Sequence, residues 1–161
     1  VNASSEQLEK ECFVEDTLAI LKEYDFPASQ LWIEITERCR DLPISMIKKT
    51  VTAFREAGIH ITMDDYGTGS SSSQMMLELP VEGVKIDMCF VKDILDEKKK
   101  QALVIGMINF ANAADLKICI EGIENDSLES YLRQFDVTCF QGYHYSRSIC
   151  QDELMKLLIK P

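Results

Sequence analysis

Six apolar runs along this chain each end at, or just before, a polar residue that a protein core would reject. The polar residues are Asn2, Glu34, Asp64 with Asp65, Lys85 with Asp87, Glu121 and Gln141. Successive first members are separated by 32, 30, 21, 36 and 20 residues, each about the length of one βα unit. The strand candidates are 31–35, 59–63, 83–86, 116–120 and 138–143, preceded by the tail of a strand at residues 1–2. Amphipathic segments lie between them. Ile44, Ile47, Val51 and Phe54 share one helical face, and Gly58 stands where that helix stops. A long helix is predicted over 97–114, a shorter one at Leu128, Tyr131, Leu132 and Phe135, and a last one at Leu154, Met155, Leu157 and Leu158. Alternating strands and helices mean parallel βα units, in an open doubly wound sheet or in a barrel. Polar groups carried by consecutive strand ends meet only if the strands curve into a ring, and in a (β/α) barrel those ends form one mouth. The fold class expected is therefore α/β, a TIM-type (β/α) barrel. A complete one needs eight strands and about 250 residues, so an incomplete barrel of about six of eight βα units is expected.

Charge narrows the partners. A net charge of -10 argues against a nucleic-acid duplex, whose phosphates demand a basic patch. The N-terminus has neither the basic start nor the apolar stretch of a signal peptide, and no apolar run approaches the ~18 residues of a membrane span. The expected location is cytoplasmic, with a parent protein that membrane anchoring would also suit. The six cysteines form no C-x-x-C pair and read as reduced, buried thiols.

The polar mouth suggests metal chemistry. Asn2, Glu34, Asp64 and Asp65, with Asp87 and Glu121, offer oxygen donors of the kind that hard divalent cations take. Neither His60 nor His144 has a partner at zinc-type spacing. Facing carboxylates repel unless a cation or proton sits between them. Two cations about 3.5–4 Å apart can clamp the attacking water and the leaving oxygen of a phosphodiester. Lys85 is the fixed cation of the rim, placed to orient water or offset transition-state charge. The Gly67-Thr68-Gly69 turn and the four serines after it read as a lid or metal-positioning loop.

The motif strings then resemble one family. Met63-Asp64-Asp65-Tyr66-Gly67-Thr68-Gly69 resembles the DDFGTG loop of EAL-type cyclic-di-GMP phosphodiesterase domains, and Leu79-Pro80-Val81-Glu82-Gly83-Val84-Lys85-Ile86-Asp87 resembles their LPVDxLKID strand. Glu34-Ile35-Thr36-Glu37 is similar to their ExTE, Ile120-Glu121-Gly122-Ile123-Glu124 to their AEGVE, Gln141-Gly142-Tyr143-His144-Tyr145-Ser146-Arg147 to their QGYxFSRP, and Val1-Asn2-Ala3-Ser4 to their VNLS. The strings occur in family order along the whole chain.

The resemblance implies hydrolysis of one phosphodiester bond of cyclic-di-GMP to the linear dinucleotide, with Mg²⁺ or Mn²⁺ in a two-metal site. It implies metal roles for Asn2, Glu34, Asp64, Asp65 and Asp87, and catalytic roles for Lys85 at the hydrolytic water and for Glu121. It implies substrate binding by Gln141, and support of the paired-aspartate loop by Glu124 with Gly67, Thr68 and Gly69. It also implies a homodimer, and a parent protein carrying sensor or GGDEF-type domains. In those terms residues 1–161 are expected to be a single truncated EAL domain, running from the third barrel strand to the C-terminal helix. The Glu-Ala-Leu string, whose glutamate is a metal ligand in the family, does not occur among the 161 residues, so little turnover is expected of this chain alone. Ser70, Ser73, Asn125 and Ser148 also depart from the family pattern. The alternatives are a degenerate, non-catalytic module that binds cyclic-di-GMP or a protein, and a structural fragment that covers its open edges by self-association.

Other polar residues have ordinary readings. Glu37 and Tyr66 read as structural, His60 and His144 as satisfied or exposed histidines, the Glu97-Lys98-Lys99-Lys100 run as a solvated helix start, and the seven methionines as core filler.

Overall fold

A computed structural model of the chain describes residues 1–36, 39, 42–69 and 72–158, of 72 and 73 the backbone alone. Glu37 and Ser70 lie outside the described residues. Six strands, β1 (Asn2–Ala3), β2 (Trp32–Thr36), β3 (His60–Tyr66), β4 (Gly83–Ile86), β5 (Lys117–Ile120) and β6 (Cys139–Phe140), form one sheet in the order β1-β2-β3-β4-β5-β6. Every pairing is parallel. A doubly wound sheet reverses its strand order at a switch point. This sheet does not reverse, which is the order of a (β/α) barrel, and it is not closed.

The helices are α1 (Ser5–Leu8), α2 (Phe13–Glu23), α3 (Ile44–Glu56), α4 (Ser72–Glu78), α5 (Met88–Val91), α6 (Lys98–Ala113), α7 (Asp126–Leu132) and α8 (Gln151–Leu158). None among the described residues is long and apolar enough to cross a membrane. In α3, Ile47, Val51 and Phe54 are buried at helical spacing, and each such side chain contributes about 1.5–3 kcal/mol by leaving water. Phe13 of α2 packs edge-on against Phe54 at 5.2 Å. Gly58, at φ +83°, terminates the segment after α3 in the left-handed region that glycine enters without steric cost.

The core lies between the sheet and its helices. Ile33 and Ile35 of β2, Ile61 and Met63 of β3, Val84 and Ile86 of β4, and Ile118 and Ile120 of β5 are all buried. The opposite face of the same strands carries Glu34, Thr62, Asp64, Lys85 and Cys119. This period-two alternation divides each strand into a helix-facing side and a side facing the barrel lumen.

Several expectations need correction. The strand predicted over 138–143 is only two residues long, because the backbone turns at Gly142, where an added Cβ would sit 2.1 Å from the Ile123 carbonyl oxygen. α7 ends at Leu132 and leaves Phe135 beyond it. Of the six cysteines, only Cys39 is buried; Cys119 is half-buried and the others are exposed. Met46, Met88 and Met155 are exposed, while Met63, Met75, Met76 and Met107 are in the core. The helix expected near Leu154 forms, yet it buries no residue.

Candidate active site

The strands β2 to β5 deliver one charged cluster to the lumen. Lys85, 7% exposed, sits between two apolar neighbours that face the helices, so alternation sends its side chain into the lumen. Its Nζ lies 3.2 Å from Glu34 Oε2, 3.4 Å from Asp64 Oδ1 and 2.6 Å from Glu121 Oε1. These carboxylates come from three other segments: β2, β3 and the residue that follows β5. The register explains their convergence. Thr36 pairs with Asp64, Lys85 with Cys119, and Asn2 with Glu34, so the four groups occupy neighbouring steps on adjacent strands.

Electrostatics within the cluster are unbalanced. Three carboxylates face one ammonium. Burial works against the charge of Lys85, but the hydrogen bond and attraction of Glu121, with Asp64 and Glu34, outweigh it, and its pKa rises above the ordinary 10.5. Burial pushes the Glu121 carboxyl above its usual 4.5; Lys85 opposes that shift, while Asp64 and Asp87 add to it. Asp64 Oδ1 is buried and accepts no hydrogen bond. The donors are all oxygen, and a buried carboxylate oxygen keeps acceptor capacity. That set fits a hard divalent cation. Ligand atoms of three histidine, cysteine, aspartate or glutamate residues within 4.8 Å of one another occur elsewhere among the described residues, at Asp126, Glu129 and His144. In the lumen it is the Lys85 ammonium that bridges the carboxylates.

Asp64 and Asp65 adjoin in sequence at the end of β3. A regular strand would send them to opposite faces. The pairing of β3 with β4 shifts register between Met63 and Tyr66, and Asp65 takes φ +55°, so the alternation is broken at this pair, as at a β-bulge. Thr68 then closes a turn on Asp65, its N–H and Oγ1 donating to the Asp65 carbonyl at 3.1 and 2.9 Å. Gly67 suits this turn through its φ of +93°, in the left-handed region that glycine enters without steric cost, and it sits beside the Met107 side chain of α6. The loop next to the paired aspartates is thus a hydrogen-bonded turn held against α6, and α4 starts at Ser72 within the serine run.

The remaining expected residues are placed as follows. Asn2 is exposed on β1, in register with Glu34. Asp87 caps α5, its Oδ1 accepting from the Cys89 N–H at 2.8 Å. Gln141 lines a lumenal cavity of about 400 Å³ with Glu34, Lys85, Lys117 and Trp32. Glu124 is exposed and borders a different cavity, between α5 and the segment after β5. Tyr66 is buried and stacks on Phe110.

Two polar arrangements went unnoticed in the sequence. At the N-terminal end of the strands, Glu82 pairs with both Arg55 and His60, the His60 ring stacks on Trp32 at 4.4 Å, and Lys117 lies 4.7 Å over Trp32. Near the C-terminal end, His144 Nε2 lies 3.0 Å from Glu129 and 3.5 Å from Asp126. Both histidines are therefore satisfied by carboxylates. Their partners lie far off in sequence and follow no local spacing that would reveal them.

Comparison with known proteins places this geometry. The family model described as EAL domain matches residues 1–148. The chain is 27% identical over 147 residues to the cyclic di-GMP phosphodiesterase PdeR of Escherichia coli, covering 91% of this chain and 22% of that protein. It spans about a quarter or less of the length of the curated relatives it matches. The crystal structure of the EAL domain of Mycobacterium smegmatis DcpA superposes with a TM-score of 0.93 at 31% identity, covering 98% of this chain and 70% of that one. The EAL enzyme Bd1971, in a form bound to cAMP and cyclic-di-GMP, superposes with a TM-score of 0.92 at 30% identity, covering 98% of this chain and 42% of that one.

Proposed function

The chain belongs to the EAL domain family, and from that membership we propose that it supplies the lumenal half of a divalent-metal-dependent phosphodiesterase site for cyclic-di-GMP. The observation that carries this reading is the convergence of Glu34, Asp64 and Glu121 on Lys85 Nζ. The names of the relatives give the substrate class, and the oxygen-only donor set gives the cation class.

Asn2, Glu34 and Asp64 would hold one Mg²⁺ or Mn²⁺, and Asp65 and Asp87 would border a second. Such ions, when bound, lower the pKa of a water and offset phosphate charge. The protein's own groups do the rest. Lys85 stays charged through neutral pH, orients the attacking water and balances the charge that grows on the phosphoryl oxygens. Glu121, at 2.6 Å from Lys85 Nζ, is placed for proton transfer. Gln141 faces the same cavity with an amide suited to a guanine edge. Water adds to one phosphorus, one P–O bond breaks, and a linear dinucleotide leaves.

We assign hydrolysis to the protein in which these residues act together with a Glu-Ala-Leu segment, and expect little turnover from the 161 residues alone. The relatives' greater length supports a parent with further domains, of sensor or GGDEF type. The exposed apolar side chains of α8, Leu154, Leu157 and Leu158, support a two-fold homodimer.

The test is calorimetry with cyclic-di-GMP and Ca²⁺, followed by product analysis with Mn²⁺. Binding that Lys85→Met weakens at least about tenfold, with little linear product, supports the assignment. Absence of binding by the wild-type chain overturns it.

A further inference from the structure

Cys119 on β5 and Cys139 on β6 are direct partners in the parallel register. Paired residues on parallel neighbours project to the same face, and both thiols line the lumenal cavity. Adjacent strands lie about 4.7–4.9 Å apart, inside the window of roughly 4.4–6.8 Å that a disulfide spans between Cα atoms. Both cysteines are free. The phosphodiesterase reading gives neither of them a task.

The two thiols are not equivalent. Cys139 is exposed and Cys119 half-buried. The neighbouring Cys119 thiol lowers the pKa of Cys139; burial opposes this and the Lys85 charge adds to it. The neighbouring Cys139 thiol, with burial, pushes Cys119 up. Exposure assigns the roles: a small disulfide reaches Cys139 from solvent, and half-buried Cys119 is placed to resolve. Of the other cysteines, Cys39 is buried and Cys12, Cys89 and Cys150 are exposed outside the strands.

We propose that Cys119 and Cys139 form a reversible dithiol–disulfide site on the lumenal wall, oxidised by low-molecular-weight disulfides. The Cys139 thiolate attacks one sulfur of the small disulfide, forming a mixed disulfide and expelling one thiolate. Cys119 then loses its proton to solvent and attacks Cys139 Sγ, forming the protein S–S bond and expelling the second thiolate. Two protein thiols are oxidised, and one small disulfide is reduced to two thiols. The bond would tie β5 to β6 beside Lys85, which pairs with Cys119, and two residues before both Glu121 and Gln141. Oxidation would thereby reshape the cavity wall. This site stands on the strand register and does not depend on the phosphodiesterase reading.

The sequence offers a clean assay. Trypsin cuts after Lys117, Arg133 and Arg147, so the two cysteines fall in separate peptides, 118–133 and 134–147, each holding one cysteine. The full chain is treated with oxidised glutathione, its remaining thiols are alkylated, and the digest is read by mass spectrometry. The expected product is the 118–133/134–147 pair, removed by dithiothreitol. In Cys119→Ser, glutathione should instead remain on Cys139, in at least about tenfold excess over its level there in wild type. In Cys139→Ser, Cys119 should stay reduced. Circular dichroism confirms that both variants fold. Glutathione spread equally over Cys12, Cys89, Cys139 and Cys150, or no linked pair in wild type, would overturn the proposal.

Discussion

Glu121 Oε1 lies 2.6 Å from Lys85 Nζ, the shortest of the three contacts that ammonium makes with carboxylates. The pair joins the end of β5 to the middle of β4. It also joins two groups of the lumen whose proton affinities rise, Lys85 through its partners and Glu121 through burial.

Replacing Lys85 with Met should destabilise the chain, because three partly buried carboxylates would then face one another without a cation. Removing one partner of a fully buried pair costs about 3–5 kcal/mol; solvent at Glu34, whose side chain is 23% exposed, should bring the cost below that range. The variant should regain stability on acidification, as protonation relieves the repulsion. Urea unfolding at pH 5 and pH 7 checks both the sign and the pH trend.

Glu121 sets a second pH dependence. Its folded-state pKa lies above 4.5, so the native state binds more protons than the unfolded state as pH rises through that value. Stability from this group is therefore lost between pH 4.5 and the raised pKa, and no further loss follows above it. Lys85 acts in the opposite region: its contribution is complete below pH 10.5 and declines as pH rises through its higher folded value. In Glu121→Gln the acidic slope should disappear and the alkaline decline should weaken, because Glu121 is the foremost of the partners that raise the Lys85 pKa. Stability curves from pH 4 to 11 distinguish the two.

Divalent cations should stabilise the wild-type chain, and Asp64→Asn should remove most of that gain. Asp64 Oδ1 is buried and accepts no hydrogen bond, so neutralising it also lowers the repulsion within the cluster. In the absence of cation the variant should be close to wild type in stability, within about 1 kcal/mol. Melting temperatures with EDTA and with Mn²⁺ give the comparison. An equal Mn²⁺ shift in both proteins would remove Asp64 from the ligand set.

Two glycines should respond differently to alanine. At Gly142 a methyl group would overlap the backbone of Ile123, with contacts of 2.1, 2.3 and 2.7 Å. Backbone cannot move aside as a flexible side chain does, so a cost of at least about 1–3 kcal/mol is expected. At Gly58 nothing lies within 4 Å of the added carbon, and only the positive φ of +83° opposes it, a cost of about 1–2 kcal/mol. Chemical denaturation should rank Gly142→Ala below Gly58→Ala.

The sequence made the sheet legible because strand and helix leave different periods, and because a charged residue inside an apolar run, such as Lys85 between Val84 and Ile86, requires compensation. The helix α2 escaped notice. Its Phe13, Val14, Leu18 and Leu21 are only partly buried against the core, so its apolar face is diluted by exposed positions such as Ile20 and Tyr24. The α4 start was hidden by the serines, which favour turns and caps over helix interiors. The pairing of Cys119 with Cys139 was illegible for another reason: it depends on register between strands, which no spacing along the chain encodes.

The strand order carries a last consequence. Neighbours in the sheet are neighbours in the chain, from β1 to β6, so no strand must wait for a distant segment before finding its partner. On the ribosome, where synthesis proceeds from the N-terminus, each newly exposed βα unit can dock on the one completed before it. Assembly of this sheet can therefore be vectorial, each step leaving a single growing edge as the template for the next.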